Sequence, residues 1–266
     1  MRPDPGLSGH WLQRLHVLDF GTFDVGPPDG LPLRRIGIPG FLLETATASG
    51  QVARILFDTG FPPDYATAPQ TADARDGLHR FGRFARFGPE NTAAGQLALL
   101  GLTPADISHV ILSHGHIDHV GSLPLFAHAA IILTAAERAD PRPRYFLDRQ
   151  PMDWPAARYL TLSAETDLCH GIRLIPTPGH TPGHLSALLT LPDGNTVLLA
   201  ADAINRLSEP DEGFADAADP AAAMASFRHL SAMAARTGAE IIYGHEPGQW
   251  PQLPKAPQSW GPVPCP

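Results

Sequence analysis

The sequence predicts a mixed α/β fold in which two β-sheets face each other and helices cover their outer sides. Apolar strand-like runs alternate with helix-like segments in both halves of the chain, and the apolar side of each helix needs a sheet to cover it. The 266 residues are 43% apolar and 17% charged, so the chain can bury a sizeable core. This length suits one large domain or two small ones.

The first part of the chain is rich in strands. Alternating or continuous apolar runs predict strands at 14–20, 35–43 and 52–57. Residues 61–90 have weak periodicity and are typical of a functional or poorly ordered loop. A helix is expected at 92–100, because its apolar residues recur at helical spacing and a glycine follows it.

Five aromatic or sulfur-containing side chains are candidates for a substrate-binding wall. Phe81, Phe84 and Phe87 follow one another at three-residue spacing, which favours one face of a short helix packed on the core, with a wall for a substrate tail as the alternative. Met152 and Trp154 lie in a proline-bearing loop that forms either a lid or an ordinary surface excursion.

The rest of the chain continues the alternation of strands and helices. Strands are predicted at 107–112, 130–134, 172–176, 185–191, 196–201 and 240–243. A short helix is expected at 135–139. A long helix should begin at Asp219 as N-cap, with Pro220 in its first turn, and end at Gly238. Its predicted buried stripe consists of Met224, Phe227, Leu230 and Ala234.

Composition excludes several classes of function. The net charge is −8 and acidic residues are scattered, whereas a nucleic-acid partner requires a basic patch. The single lysine, Lys255, lies in a proline-rich tail, which argues against Schiff-base chemistry. The two cysteines form no C-x-x-C pair. We expect a cytoplasmic protein, because the N-terminus lacks the apolar region of a signal peptide and no apolar run approaches the ~20 residues of a membrane span.

Metal-ligand side chains follow the predicted strand at 107–112. His114 and His116 share one side of an extended segment and can therefore hold one ion, while Asp118 and His119 follow where the chain should turn towards a second ion. Imidazole nitrogen suits Zn, Fe, Co or Mn, and a carboxylate adds a hard ligand. The alternative is a solvated histidine-rich loop.

Three more strand ends supply ligands, namely His180, Asp202 and His245. Strand ends at a shared sheet edge converge in space, and seven ligands are too many for one zinc ion but suit two. We expect His114, His116 and His180 on one ion, and Asp118, His119 and His245 on the other. Asp202 would bridge the two.

The motif His114-x-His116-x-Asp118-His119, followed by His180, Asp202 and His245, resembles the metallo-β-lactamase superfamily over roughly 34–246. The resemblance implies a four-layer αβ/βα sandwich with a dinuclear site at one sheet edge and the same division of ligands. It implies one domain over 1–266, with a core at roughly 34–246 and a tail at 247–266. The implied cofactors are two divalent ions, with zinc expected and Co, Mn or Fe as alternatives.

Within that superfamily the chain is similar to the N-acyl homoserine lactone lactonases, through Thr177 to His184, Asp202-Ala203 and Gly244-His245-Glu246. These lactonases commonly carry a tyrosine where this chain has Asn205, which can donate a hydrogen bond but supplies no phenol proton. The implied reaction is the opening of a lactone by a metal-bridging hydroxide. Asp118 would carry the proton to the leaving alkoxide, Asp202 would bridge the ions and Asn205 would contact the substrate carbonyl.

Other functions use the same ligands. An aryl-ester or organophosphate hydrolase is the main alternative, because Asn205 departs from the lactonase pattern. A glyoxalase-II-like thioesterase, a B3-type β-lactamase, an iron-dependent sulfur dioxygenase and a metal-binding sensor rank lower. The expected partner is a small ester or lactone, without nucleic acid or membrane, and a homodimer is left open. We also expect Asp58 either to orient a ligand imidazole or to cap its own turn, and His184 to begin the next strand rather than bind metal.

Overall fold

The computed structural model of the protein describes residues 5–26 and 34–261. Its first sheet has seven strands in the order β4-β1-β2-β3-β5-β6-β7. These strands are β1 Trp11–Val25, β2 Arg34–Ala46, β3 Val52–Phe57, β4 Gly82–Arg86, β5 His109–Ile111, β6 Ala130–Thr134 and β7 Arg158–Leu162. Strands β1, β2, β3 and β4 pair antiparallel, whereas β3, β5, β6 and β7 are parallel to one another.

The second sheet has five strands in the order β12-β11-β10-β9-β8. They are β8 Thr166–Cys169, β9 Ile172–Pro176, β10 Leu185–Thr190, β11 Thr196–Ala201 and β12 Glu240–Tyr243. All neighbours are antiparallel except β11 and β12. The α-helices are α1 Pro69–Asp76, α2 Ala93–Ala98, α3 Ile117–Val120, α4 Ala135–Arg138, α5 Glu209–Glu212 and α6 Pro220–Thr237.

Alternation along the strands produces four layers. In β3, Ile55 and Phe57 join the apolar core between the two sheets, while Leu56 faces the other way, into the cluster that contains residues of α1 and α2. In β11, Leu199 points into the core between the sheets, and Leu198 points towards α6. The arrangement is helices, sheet, sheet, helix, as the sequence predicted.

Helix α6 has the expected ends but a shifted buried side. Asp219 accepts hydrogen bonds from the N–H groups of Ala221 and Ala222 at 3.0 Å, and Gly238 ends the helix in the left-handed conformation. Of the predicted stripe, Leu230 and Ala234 are buried, whereas Met224 and Phe227 are only half-buried. The remaining buried positions are Ala223, Ser226 and Met233, because the side that meets the sheet lies one residue away from the predicted stripe.

The structure corrects the prediction that residues 61–90 form a long loop. They contain α1, β4 and three short 3₁₀ helices. Phe84 lies in β4 and Phe81 and Phe87 flank it, so the three do not form a helix face. Among the described residues, strand β4 pairs with β1 alone, and its sequence Gly-Arg-Phe-Ala-Arg contains one large apolar residue between two arginines, which leaves a weak apolar signal.

Buried residues also lie before and after the stretch 34–246, which was expected to contain the core. Leu15 and Val17 of β1 and Leu253 of the tail are buried between the sheets. Over the described ranges, no helix combines the length and apolar character needed to cross a membrane. Cys169 is a free, half-buried thiol, and Cys265 lies outside the described residues.

Candidate metal centre

All seven predicted ligands meet at one end of the two sheets. His114 and His116 follow β5 and Asp118 and His119 lie on α3, so one short segment supplies four of them. The second sheet contributes the others from the β9–β10 connection, the end of β11 and the end of β12. These are His180, Asp202 and His245.

The ligand atoms form two groups. His114, His116, His180 and Asp202 each present one ligand atom, and these atoms lie within 4.8 Å of one another. The second group, with ligand atoms equally close together, consists of Asp118, His119 and His245. The side chains that the sequence analysis placed together around each ion therefore lie close together, with Asp202 in the first group.

The Asp202 carboxylate lies between the two groups, with one oxygen facing each. Its Oδ2 is 3.2 Å from His180 Nε2 and 3.8 Å from His114 Nε2. Its Oδ1 is 3.3 Å from His119 Nε2 and 3.4 Å from His245 Nε2. A bridging carboxylate requires this orientation.

Hydrogen bonds hold three of the imidazoles with Nε2 towards the centre. The Nδ1 of His119 contacts Asp58 Oδ2 at 2.8 Å, and the Nδ1 of His245 contacts Gly37 O at 2.9 Å. The Nδ1 of His114 is 2.9 Å from Ser113 Oγ, whose own proton goes to Asp58. A neutral imidazole that donates from Nδ1 keeps its lone pair on Nε2, so all three rings are oriented as metal ligands.

The donor set fits divalent metal ions. His114 Nε2, His119 Nε2 and Asp202 Oδ1 are fully buried and have no hydrogen-bond partner among the described residues. Leaving a buried polar atom unsatisfied costs roughly 1–3 kcal/mol. Three such atoms within the two ligand groups are therefore best explained as ligands, and nitrogen with carboxylate oxygen suits Zn, Co, Mn or Fe.

The electrostatics of the cluster favour cations. Burial lowers the pKa of His114 well below its ordinary value and that of His116 to about 3, so both imidazoles keep a lone pair at neutral pH. Burial acts in the same direction on His119, but the carboxylates of Asp118 and Asp202 outweigh it and raise the pKa of His119 well above its usual range. A metal ion bound by His119 would therefore have to displace a proton.

Asp58 contacts the imidazole of His119, as the first of the two roles expected for it requires. It lies just after β3 at φ 61°, and besides His119 it accepts the Ser113 N–H at 2.8 Å and the Ser113 Oγ–H at 2.7 Å. Aspartate is one of the few residues that adopt positive φ at modest cost. The backbone turn directs the carboxylate beneath the histidine segment.

Glu137 is a site residue that the sequence did not predict. Its Oε1 accepts the Gly115 N–H at 2.8 Å and its Oε2 accepts the Thr181 hydroxyl at 2.7 Å. Gly115 lies between His114 and His116, and Thr181 follows His180, so one buried carboxyl joins both ligand segments. Burial raises the pKa of Glu137. Its sequence context, Ala-Ala-Glu-Arg, carries no motif.

Asn205 is buried one helical turn beyond the bridging position of Asp202. Its Nδ2 donates to Glu209 Oε1 at 3.1 Å, and its backbone N–H donates to Glu209 Oε2 at 2.5 Å. One Nδ2 hydrogen remains, because an amide nitrogen carries two. Asn205 also lines the cavity described next.

A cavity of about 820 Å³ lies over the two metal-ligand groups. His116, Asp118, His180, Asp202 and His245 line its polar end. The opposite wall is mostly apolar and includes Phe23, Ile36, Phe61, Phe81, Phe146 and Leu147. The shape suits a small molecule with a polar reacting group and an apolar tail.

The predicted substrate wall is only partly in this cavity. Phe81 lines it and stacks on Phe146, with ring centroids 5.8 Å apart. Phe84 and Phe87 pack behind the wall instead, 4.8 and 5.9 Å from the ring of Phe61. Of these three phenylalanines, Phe81 alone lines the cavity.

Met152 and Trp154 are likewise absent from the cavity wall as far as the described residues define it. The Met152 sulfur is 3.5 Å from the Tyr145 hydroxyl, and Trp154 Nε1 donates to Asp140 O at 2.8 Å. Trp154 also packs against Tyr159 of β7. Trp154 thus attaches the 141–157 segment to residues on either side of it, whereas the Met152 contact lies within the segment. The cavity residues of that segment are Arg144 to Leu147.

The fold and the two ligand groups define a member of the metallo-β-lactamase superfamily, to which this chain belongs. The family model described as "Metallo-beta-lactamase superfamily" matches residues 50–245. The match includes every predicted metal ligand and confirms the resemblance seen in the motifs. Divalent metal use follows from this membership and from the clustered ligands.

Curated relatives carry lactonase names. The chain is 34% identical over 177 residues to the N-acyl homoserine lactonase AttM of Azorhizobium caulinodans, covering 61% of this chain and 66% of that protein, just under two thirds of its length. It is 29% identical over 219 residues to an N-acyl homoserine lactonase of Bacillus thuringiensis, covering 77% of this chain and 80% of the relative.

Solved structures share the fold. An N-acyl homoserine lactone hydrolase with N-hexanoyl-L-homoserine at its catalytic metal centre superposes with a TM-score of 0.79 at 23% identity, covering 94% of this chain and all of the other. AidC, a dizinc quorum-quenching lactonase, gives 0.64 at 18% identity, with 94% and 96% covered. At these identities the likeness confirms the architecture.

Proposed function

We propose that this protein is a dinuclear metal-dependent lactonase that opens the ring of N-acyl homoserine lactones. The observation that carries the proposal is the Asp202 carboxylate, whose two oxygens face separate groups of metal ligands at the end of an apolar cavity. The curated relatives named N-acyl homoserine lactonases support this choice of substrate. Such an enzyme would act in quorum quenching.

The proposed ligands are His114, His116 and His180 for one ion, Asp118, His119 and His245 for the other, and Asp202 for both. Zinc is the expected metal, because it accepts this mixture of imidazole and carboxylate. When bound, two divalent ions supply a water of lowered pKa and a Lewis acid for the carbonyl oxygen.

Asp118 is the proposed proton carrier. It lines the cavity, and its Oδ2 lies 3.4 Å from His245 Nε2 and 3.5 Å from His119 Nε2. Burial alone would raise its pKa, but the neighbouring His119 and His245 hold the pKa of Asp118 below its ordinary value. The carboxylate is therefore ionised at neutral pH and can accept a proton and pass it to the leaving alkoxide.

Asn205 is the proposed contact for the substrate carbonyl or the adjacent amide. Glu209 holds its side-chain amide in place and leaves one N–H for the cavity. An amide donor can stabilise charge that develops on the carbonyl oxygen, but it cannot protonate that oxygen as a phenol can. Proton transfer in this enzyme would therefore fall to Asp118.

The apolar wall would hold the acyl tail. Phe81 remains 44% exposed and Leu147 remains 69% exposed at the cavity, although both are large apolar side chains. Covering such surface contributes about 25 cal/mol per Å² of apolar area. Longer tails should therefore bind more tightly until the wall is covered.

A second candidate is an aryl-ester or organophosphate hydrolase that uses the same metal ligands. Asn205 favours it, because the tyrosine common in the lactonases is absent. The phenylalanines of the cavity wall would also accept an aryl leaving group.

The test is a substrate panel with metal-quantified protein. It contains homoserine lactones of several chain lengths, an aryl ester, a thioester and a phosphotriester. We expect preference for the lactones, about two metal ions per chain, loss of activity on chelation and recovery on adding zinc. His116→Ala should lose metal and activity, while His128→Ala, outside both ligand groups, should retain them. Inert lactones beside rapidly hydrolysed aryl esters or phosphotriesters would select the second candidate.

A further inference from the structure

His184 is fully buried beside the bridging carboxylate but belongs to neither ligand group. Its Nε2 is 3.1 Å from the backbone nitrogen of Asp202, and its Nδ1 is 2.8 Å from Thr177 Oγ1. Thr177 Oγ1 is 2.9 Å from Ser186 Oγ, which donates to Ala200 O at 2.8 Å. Four hydrogen bonds therefore form one chain, which ends on the backbone of β11.

The direction of this chain follows from its ends. Because the Ser186 hydroxyl donates to a carbonyl, its oxygen accepts the Thr177 proton, and the Thr177 oxygen then accepts from His184 Nδ1–H. The remaining ring nitrogen, Nε2, must carry the lone pair, and it accepts the Asp202 N–H. Both nitrogens of His184 are thus engaged, so neither is available to a metal.

The peptide that His184 holds is strained. Ala201, the last residue of β11, has φ 46° and ψ −140°, a region that is populated almost only by glycine. A residue in such a conformation persists only where its surroundings hold it. The rotation of this backbone points the Asp202 N–H at His184 and places the Asp202 side chain between the ligand groups.

We infer that His184 is a positioning residue, which keeps the strained Ala201–Asp202 peptide in the orientation that lets the Asp202 carboxylate face both metal-ligand groups. The inference rests on the proposed function in one respect, namely that Asp202 bridges two metal ions. Its effect is on metal binding and does not depend on which ester is hydrolysed.

The experiment compares three variants with the wild type. His184→Leu removes the acceptor of the Asp202 N–H. His184→Gln offers a side-chain oxygen near the position of Nε2. Ala201→Gly, added to His184→Leu, removes the strain that the hydrogen bond holds in check. Zinc stoichiometry and affinity are measured by competition with a chromophoric chelator, and the melting temperature is measured with and without zinc.

We expect His184→Leu to bind zinc about 10–100-fold more weakly, as is usual when a group that orients a metal ligand is lost. The rise in melting temperature on adding zinc should shrink with it. His184→Gln should recover most of the affinity, and Ala201→Gly should recover part of it in the leucine background. A Co²⁺-loaded His184→Leu protein should also show an altered visible spectrum.

A role in packing alone gives a different result. In that case His184→Leu lowers the melting temperature equally with and without zinc, and its affinity matches that of the wild type, which would overturn the inference. Equal affinities of the Leu and Gln variants, or a wild type that binds one ion only, would also overturn it. If His184→Leu does not fold, the zinc affinity of Thr177→Val provides the test. This variant removes the hydrogen-bond partner of His184 Nδ1 and leaves the imidazole ring in place. Unchanged zinc affinity in Thr177→Val counts against the inference.

Discussion

Replacing Asp58 with asparagine tests how the protein prepares a metal ligand. Asparagine has nearly the same shape and also tolerates the positive φ of this position, so the backbone should remain in place. Its oxygen can still accept the Ser113 N–H. Its NH₂ group, however, now meets His119 Nδ1, where the wild type has a carboxylate oxygen at 2.8 Å. Two donors then face each other.

The size of the loss in stability and metal affinity depends on which hydrogen bonds of residue 58 can rearrange. The Ser113 hydroxyl can rotate and accept from the new amide, so that contact is kept in reversed form. His119 can avoid the clash only by moving its proton to Nε2, and this removes the lone pair that points at the metal centre. Losing its hydrogen bond to a charged group costs about 1.5–3 kcal/mol of folding stability. Loss of such an orienting partner weakens metal binding by about 10–100-fold.

The assay is the zinc affinity and stoichiometry of Asp58→Asn, measured beside its lactone hydrolysis. One ion, held by His114, His116 and His180, should stay near wild-type affinity, while the second is lost at low zinc. Asp106→Asn is the control, because it removes one charge from an exposed carboxylate that caps a surface turn. Two ions bound to Asp58→Asn with wild-type affinity would refute the reasoning.

Three further predictions follow from other contacts. Glu137→Leu should weaken zinc binding about tenfold, because it disconnects the two ligand segments, while Glu137→Gln, which can still bond to the Thr181 hydroxyl, should stay within a few-fold; equal effects of the two would contradict this role. Phe81→Ala should raise the KM for long-chain lactones several-fold and leave short-chain lactones unchanged, and an equal rise for both would place the tail elsewhere. The imidazole of His16, whose Nε2 lies 3.6 Å from a Glu44 oxygen, holds the pKa of Glu44 below its ordinary 4.5, and the nearby arginines add to this effect. Glu44→Gln should therefore lower the urea midpoint at pH 7, and the gap should close as the pH falls below 4.5 through the folded-state pKa; a gap that persists at lower pH would contradict the ion pairing.

The sequence predicts the inner strands well and the edge strands poorly. Strands β3, β6, β9 and β11 were predicted with both of their ends correct, because buried apolar residues make up most of each strand. The three strands missed, β4, β7 and β8, are all at sheet edges. An edge strand pairs on one side only and carries polar residues on its exposed face. Strand β12, the remaining edge, was found because a glycine and a histidine mark its end.

The candidate site likewise contains residues that could be predicted from the sequence and residues that could not. Histidine and aspartate at strand ends identify themselves by their chemistry, so the two ligand groups could be predicted before any contact was known. Glu137 could not, since its partners are 22 and 44 residues away and only the packing of the two sheets brings them together. The substrate wall was hard to predict for the same reason. Phe81 belongs to it, while Phe23, Phe61 and Phe146 reach it from other segments.

Two of the four described non-glycine residues with positive φ lie next to the candidate metal centre. Asp58 follows β3 and Ala201 ends β11, and both have positive φ, where glycine would be expected. Such conformations cost of order 1–3 kcal/mol each and persist where surrounding contacts determine them. Asp58 uses the turn to reach His119, and Ala201 uses it to present Asp202 to both ligand groups. The cost is borne by the metal-free chain, and binding of the ions offsets it, because ligands that bind only the folded state stabilise that state. The folding of this end of the molecule and its loading with metal should therefore be thermodynamically linked.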